Sequence, residues 1–324
     1  SLRKSFPEPI LRKEIQSNGM MEQTTLSKWA EFNRRRWNCR SDYHRLQLPQ
    51  SEVYGEMLLF MDAKGRSYLP PQNPYHLTYF YPTATSKASR SNKQWHEVAN
   101  LMIDRLLELK GRVILHLPPH IEDVRPFTWR GFKSDVRYTY QVELPYQIEE
   151  ASKSIRNKIK KASSLGYYTV KSNNMDHAYQ CLIETEQRQG FSHQLSVEDL
   201  KLAQDLMGEE AFRCYICYSP EGEPVSTNIS LLFHPEWATG WIAGTKSAHL
   251  QNGVVQMLQL FEFEDLTSIG VKGFDFTGAN IESVSNSKAS WGGDLVPYYV
   301  LRRPSFKDIA RAGIDWLQFN YKQS

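Results

Sequence analysis

The chain has 324 residues, 40% hydrophobic and 23% charged, with a formal net charge of +3. That balance supports a packed core in one large or two medium domains and excludes general disorder. The small net charge hides an asymmetry, +7 over residues 1–145 and −4 over residues 146–324; a basic half can steer an anionic partner, although an unevenly decorated surface gives the same numbers.

Residues 1–22 are polar with scattered apolar positions and read as an extension. Thr25 to Trp37 reads as a helix with Leu26, Trp29, Ala30 and Trp37 inward. Glu56 to Met61 and the aromatic run Tyr75 to Tyr81 read as strands, the second bounded by Pro74 and Pro82. Asn92 to Leu109 carries Trp95, Val98, Ala99, Met102, Ile103, Leu106 and Leu107 at helical spacing, and Gly111 stops it. Strands follow at Val113–Leu115 and Arg137–Leu144.

The second half opens with helices at Glu149–Leu165 and Asp176–Gln189. Phe212–Tyr218, Pro224–Phe233 and Trp237–Gly244 read as a three-stranded meander with turns at Pro220-Glu221-Gly222 and His234-Pro235-Glu236. A helix over Asn252–Ser268 and a strand over Val271–Phe276 come next. A polar loop, a strand at Tyr298–Leu301 and a helix from about Phe306 to Phe319 complete the chain. A meander is antiparallel, and a helix between two strands makes them parallel neighbours. The pattern predicts a mixed α/β sheet in the second half and a degenerate copy in the first.

Four cysteines are present: Cys39, Cys181, Cys214 and Cys217. The last two have C-x-x-C spacing but lie in a predicted strand, where positions i and i+3 face opposite ways. No second Cys or His pair has zinc-ligand spacing, so reduced, mostly buried thiols and no metal are predicted. No apolar run reaches the roughly 18–20 residues of a membrane span. Residues 1–13 lack the apolar core of a signal peptide. These readings predict a cytoplasmic protein without a transmembrane segment.

Three segments carry a resemblance. The first is Gly131-Phe132 with Arg137-Tyr138-Thr139-Tyr140 and Leu144-Pro145. The second is Ile155-Arg156-Asn157-Lys158-Ile159-Lys160-Lys161-Ala162 with Gly166-Tyr167. The third is Phe274-Asp275-Phe276-Thr277-Gly278 followed by Lys288-Ala289-Ser290-Trp291-Gly292-Gly293. In this order they resemble the Fem (FemABX-like) family of aminoacyltransferases within the acetyltransferase-like (GNAT) superfamily. The resemblance spans residues 25–303 and implies two tandem GNAT-like domains, 23–145 and 146–324. It implies acyl transfer to an amine, with aminoacyl-tRNA or an acyl thioester such as acyl-CoA as donor, and no tightly bound cofactor. Two features depart from the family. Ser287 stands where the family has Phe before the motif lysine, and the coiled-coil insertion of some members is absent.

Amide formation needs a neutral amine, a stabilised oxyanion and a protonated or charge-balanced leaving group. The resemblance places Lys288 in the donor site and links Arg156, with Lys160 on the same helical stripe, to a phosphate. Asp275 at a strand end suits an amine, or caps the turn before Gly278. Tyr298 suits a general acid, or packs as a core aromatic. Gly278, Trp291 and Gly292 are candidate substrate contacts. Gly253 is the surviving glycine of a coenzyme A pyrophosphate loop in which Leu250 and Val255 replace the expected residues. The reading is therefore an acyltransferase acting on a cell-envelope precursor or small metabolite, with tRNA or a phosphate-bearing acceptor as partner and no DNA. Two alternatives stand beside it: an acyl-CoA-dependent N-acetyltransferase, and a catalytically silent phosphate-ligand binding module on the same fold.

Overall fold

A computed structural model of the protein describes residues 24–85 and 87–303. The predicted N-terminal extension and the predicted helix at Phe306–Phe319 lie outside the described residues. Helix α1 (Thr25–Trp37) is capped by Thr24, whose hydroxyl accepts from the Ser27 amide, and ends at Asn38 in the left-handed region. It buries Trp29 and Phe32 on a sheet of β1 (Arg40–Gln47), β2 (Tyr54–Met61) and β3 (Thr78–Tyr81). The alternation of β2 sends Leu58 and Phe60 to this side. Met57 and Leu59 go to the other, where α2 (Ala88–Glu108) lays Trp95, Val98, Met102, Ile103 and Leu106 on them. β4 (Val113–His116), α3 (Arg125–Trp129) and β5 (Lys133–Glu143) complete the first half.

The second half contains α4 (Lys153–Ser164), β6 (Tyr168–Lys171), α5 (Met175–Gln189), α6 (Val197–Ala211), β7 (Phe212–Tyr218), β8 (Pro224–His234) and β9 (Trp237–Thr245). It continues through α7 (Val254–Ser268), β10 (Gly273–Asp275), α8 (Glu282–Ala289) and β11 (Asp294–Arg303). The predicted meander is β7–β8–β9, all antiparallel, and β10 lies parallel to β9. The mixed α/β architecture predicted from the sequence is therefore present. The two halves are not separate sheets, however. The order of the large sheet is β4-β11-β5-β10-β9-β8-β7-β6. β11, the last strand described, is wedged between β4 and β5 of the first half, and β5 pairs with β10 of the second.

The elements that the sequence reading missed have physical reasons. β1 is an edge strand whose single buried side chain is Leu46. α6 opens with a complete capping box, Ser196 with Asp199, a signal present in the sequence. α8, expected as loop, buries none of its residues. β11 begins at Asp294 rather than Tyr298. Pro297 discourages a strand, yet it is accommodated because β4 pairs only from Val300 onward and leaves β11 single-sided there. All four cysteines are free and buried. Cys214 and Cys217 lie in different core clusters, as their spacing on a strand requires. No helix among the described residues is long and apolar enough to cross a membrane.

Gly253, at the start of α7, has φ 82°, and a Cβ there would lie 2.0 Å from the Lys158 carbonyl oxygen of α4. Gly222 has a similar φ of 84° with nothing within 4 Å. Gly253→Ala should therefore cost roughly 2–4 kcal/mol, from overpacking plus left-handed strain. Gly222→Ala should cost about 1 kcal/mol from the strain alone. Urea unfolding of both variants measures the difference, and equal costs would refute the α4–α7 contact.

Glu262 of α7 is fully buried between helix and sheet, where Ser230, Asn228 (2.9 Å) and Gln259 (2.8 Å) donate to its carboxyl. Burial pushes it up to about 7, against the pull of those donors. The folded state holds this proton more tightly than the unfolded chain. Stability from this group is complete below the unfolded value near 4.5 and falls as pH rises toward 7. The loss is about 3 kcal/mol. Glu262→Gln should flatten that part of the stability–pH curve and exceed the parent above pH 7; thermal unfolding across pH 4–8 checks it.

Candidate active site

The predicted site residues do not all meet. Those that do gather where β9 and β10 part. β10 pairs with β9 only from Gly273 to Asp275, opposite Trp237 to Thr239. Beyond that point β9 continues to Thr245 beside β8. The chain after β10 instead follows β5, with the Phe276 amide donating to the Tyr140 carbonyl and the Ala279 amide to the Tyr138 carbonyl. The loop 276–281 thus spans the fork between the two strands.

Asp275 is the hub of this fork. It is only 5% exposed, and both carboxyl oxygens are held. Thr139 of β5 donates to Oδ1 at 2.6 Å and the Thr277 amide to the same oxygen at 2.8 Å. The Tyr75 hydroxyl, from the first half, donates to Oδ2 at 3.0 Å. Burial raises the carboxyl above its usual range, and these donors pull it back. The Thr139 hydroxyl in turn accepts from the Gly278 amide at 3.2 Å. Asp275, read from the sequence as suiting an amine or capping the turn before Gly278, has both carboxyl oxygens engaged in organising the loop.

Thr277 has φ 53°, an unfavourable conformation for a β-branched residue. Three contacts hold it there: its amide on Asp275, its hydroxyl donating to the Gly240 carbonyl at 2.9 Å, and its own carbonyl accepting from Lys288. Strain fixed from several sides in this way marks functional loops. Lys288 supplies the clamp. Its ammonium donates to the carbonyls of Phe276 (2.8 Å), Thr277 (2.7 Å) and Gly278 (2.7 Å). An ammonium has three N–H donors, and all three are engaged. Burial lowers Lys288 to about 8, opposed by nearby Asp275. Lys288, which the resemblance places in the donor site, spends its donors in this arrangement on the shape of the loop.

Tyr298 of β11 stands at the edge of the cluster, its ring edge-on to Tyr75 at 5.1 Å. Asn280 approaches its hydroxyl at 3.4 Å. Burial raises its pKa, so the hydroxyl retains its proton at neutral pH. Gly278, φ 84°, has open space where a Cβ would stand, so the loop is accessible at this point.

Other predicted contacts belong to packing. Trp291 is buried against Tyr146 and Phe263. A Cβ on Gly292 would lie 2.3 Å from the Glu150 carbonyl, and one on Gly293 would lie 2.5 Å from that of Gln141. This glycine pair lets the turn before β11 lie against β5 and the start of α4. Gly253 is filled by Lys158 in the same way. Arg156 is half-buried on α4 and Lys160 exposed; neither has a hydrogen-bond or ion-pair partner among the described side chains. The N-cap of α4, Ser152, donates its amide to the Ser290 carbonyl at 2.8 Å. Arg156 therefore lies one helical turn from the segment that follows Lys288. Tyr75, Gln141, Thr139, Thr277 and Asn280 were missed as site residues. Strand alternation, which puts Arg137, Thr139 and Gln141 on one face, was the available signal for the β5 members.

No protein-family profile matches the chain, and no curated protein matches it. Solved structures do match. FemX superposes with a TM-score of 0.63 at 12% identity, covering 87% of this chain and 92% of FemX. The C-terminal domain of a lysylphosphatidylglycerol synthetase from Agrobacterium fabrum gives 0.57 at 9% identity, over 92% and 93% of the two chains. The L-PGS structure from Bacillus licheniformis gives 0.52 at 13%, over 82% and 86%. The chain has the Fem-type fold. At these identities the likeness is one of fold alone.

Lys288→Met should release the three loop carbonyls and speed amide exchange at Thr277 and Gly278 at least tenfold. It should also destabilise the protein by about 2 kcal/mol through the acceptors left unpaired. Exchange rates unchanged from the parent would rule out the clamp.

Proposed function

We propose that the protein is an N-acyltransferase that moves an aminoacyl group from an activated ester to an amine. The observation that carries this reading is the fork at Asp275, where Lys288 holds a strained loop beside a protonated tyrosine. The Fem-type fold supports it. The amine nitrogen forms a bond to the acyl carbon and gives up a proton, the carbon–oxygen bond of the ester breaks, and the leaving oxygen takes a proton from a donor that the amine proton then restores. Tyr298 is the proton donor in this scheme, because burial keeps its hydroxyl protonated. Gly278 provides the accessible edge of the loop, and Asp275 and Lys288 fix its shape.

An ester donor is preferred to coenzyme A. The start of α7, where the sequence resemblance to acetyltransferases implies a pyrophosphate, is packed against α4 through Gly253 and Lys158, and Lys161 donates to the Gln251 carbonyl at 2.7 Å. These residues do not fit a coenzyme A diphosphate. The acceptor is an amine of an envelope precursor or small metabolite, in keeping with the FemX and lysylphosphatidylglycerol synthetase likenesses. The silent binding module stays as a second reading, favoured by the full engagement of Lys288.

Amide formation is to be assayed with mixed charged tRNA and with acetyl-CoA, each against a panel of amine acceptors. Transfer from charged tRNA, reduced about 100-fold in kcat by Tyr298→Phe, is the expected result. Transfer from acetyl-CoA alone would replace the ester donor. Ligand binding without turnover from either donor would establish the silent module.

A further inference from the structure

Strand pairing sets up a second cluster on the same sheet, next to Tyr298 and outside the Asp275 fork. Arg137 of β5 is directly opposite Tyr298 of β11, and His116 of β4 is directly opposite Val300. Alternation puts Tyr298, Val300 and Arg302 on one face of β11, so Arg137, Arg302 and His116 share that face across three strands. The reverse face of β5 and β11 is different in character: Val136, Tyr138 and Leu295 are exposed there. Lys133, directly opposite Arg302, adds a third cation to the Tyr298 side, whereas Arg303 alternates to the reverse face, where its guanidinium is engaged by the Leu106, Leu107 and Leu109 carbonyls at the end of α2.

The charges are poorly balanced. Among the described residues, Asp135 is the carboxylate paired with the group, 3.4 Å from Arg302 Nε. That Nε is buried and makes no well-aligned hydrogen bond among the described residues, so the Asp135 contact satisfies it only in part. Arg137 is exposed and has no carboxylate partner among the described residues. His116 is half-buried and pushed down to about 4, first by burial and then by Arg137 and Arg302, and His76 stacks obliquely 6.1 Å away. Two guanidiniums crowd a neutral imidazole, with one acid for both. Such a group is assembled at the expense of stability unless an anion completes it.

We propose that the face of β4, β11 and β5 bearing Arg137, Arg302 and His116 is an anion subsite that takes the phosphate of a phosphate-ester substrate. Guanidiniums present paired N–H donors that match phosphate oxygens. An oxyanion there meets the exposed N–H groups of Arg302, neutralises Arg137 and lets His116 accept a proton. Tyr298 and Asn280 form the rim, so the ester is held alongside the fork at Asp275. The assignment of this phosphate to a substrate rests on the acyl-transfer reading; its binding does not.

The test uses inorganic phosphate, glycerol 3-phosphate and adenosine 5′-monophosphate, followed by calorimetry and by the histidine resonances in NMR. The parent should bind inorganic phosphate saturably, and the His116 titration should move up by at least one pH unit. Arg137→Gln and Arg302→Gln should each weaken binding at least tenfold, and the double variant should abolish the His116 response. Arg137 is exposed, so its replacement leaves the fold intact, which thermal unfolding confirms. Lys93→Gln, on the rim of a separate cavity beside α2, should bind as the parent does. Tighter binding of one ester than of free phosphate identifies which source of the phosphate is recognised. No binding to the parent, binding unaffected by either arginine substitution, or a stationary His116 overturns the subsite. Absence of acyl transfer with phosphate binding intact refutes the reaction instead and leaves the subsite standing.

Discussion

The buried carboxyl of Asp275 is the constraint on which the centre of this molecule is built. A carboxyl withdrawn from water costs several kcal/mol unless donors replace the lost solvent. Tyr75 reaches it from the first half, Thr139 from β5 and the Thr277 amide from the loop behind it. Each donor fixes a different piece of chain. Meeting the needs of one side chain therefore brings Tyr75, β5 and the fork loop together, and it holds Thr277 in the left-handed region that a threonine avoids.

The strand exchange makes this arrangement possible. β5 lies between β11 and β10, so Thr139 and Gln141 face the end of β10 directly. β11 lies between β4 and β5, which carries Tyr298 to the same seam as Tyr75. Two independent sheets would place these groups on opposite sides of a domain interface, free to move with it. One continuous sheet holds them in register through backbone hydrogen bonds. The glycines before β11 serve this end: Gly292 and Gly293 let the turn pass close to the Glu150 and Gln141 carbonyls, a passage that any side chain would block.

Much of the architecture was legible because it follows periodicity. The heptad-like spacing from Trp95 to Leu106, the β7–β9 meander and the β9-to-β10 crossover all came from the pattern of apolar residues. β1 and α8 did not, since almost none of their side chains enter a core. The site was legible as a place but not as a set of roles. Asp275, Gly278, Lys288 and Tyr298 are brought together, whereas Trp291, Gly292 and Gly253 are explained by close packing. Motif residues and packing residues look alike in sequence, because a glycine that admits a ligand and one that admits a backbone carbonyl are the same letter. The engaged state of Lys288 is likewise invisible without the three carbonyls that surround it.

The clamp changes what a lysine in this position does chemically. A free ammonium in a donor site acts by its own charge on the reacting carbonyl. Here that charge is spent on three loop carbonyls whose dipoles converge on it, and burial has already lowered Lys288 to about 8. Deprotonation would remove one donor from a set of three and loosen the loop at the residue, Thr277, whose conformation is least favourable. The lysine thus links loop geometry to pH through its own titration, in a range where Tyr298 keeps its proton. The shape of the fork depends on Lys288, and the Gly278 edge is the part of the loop left open.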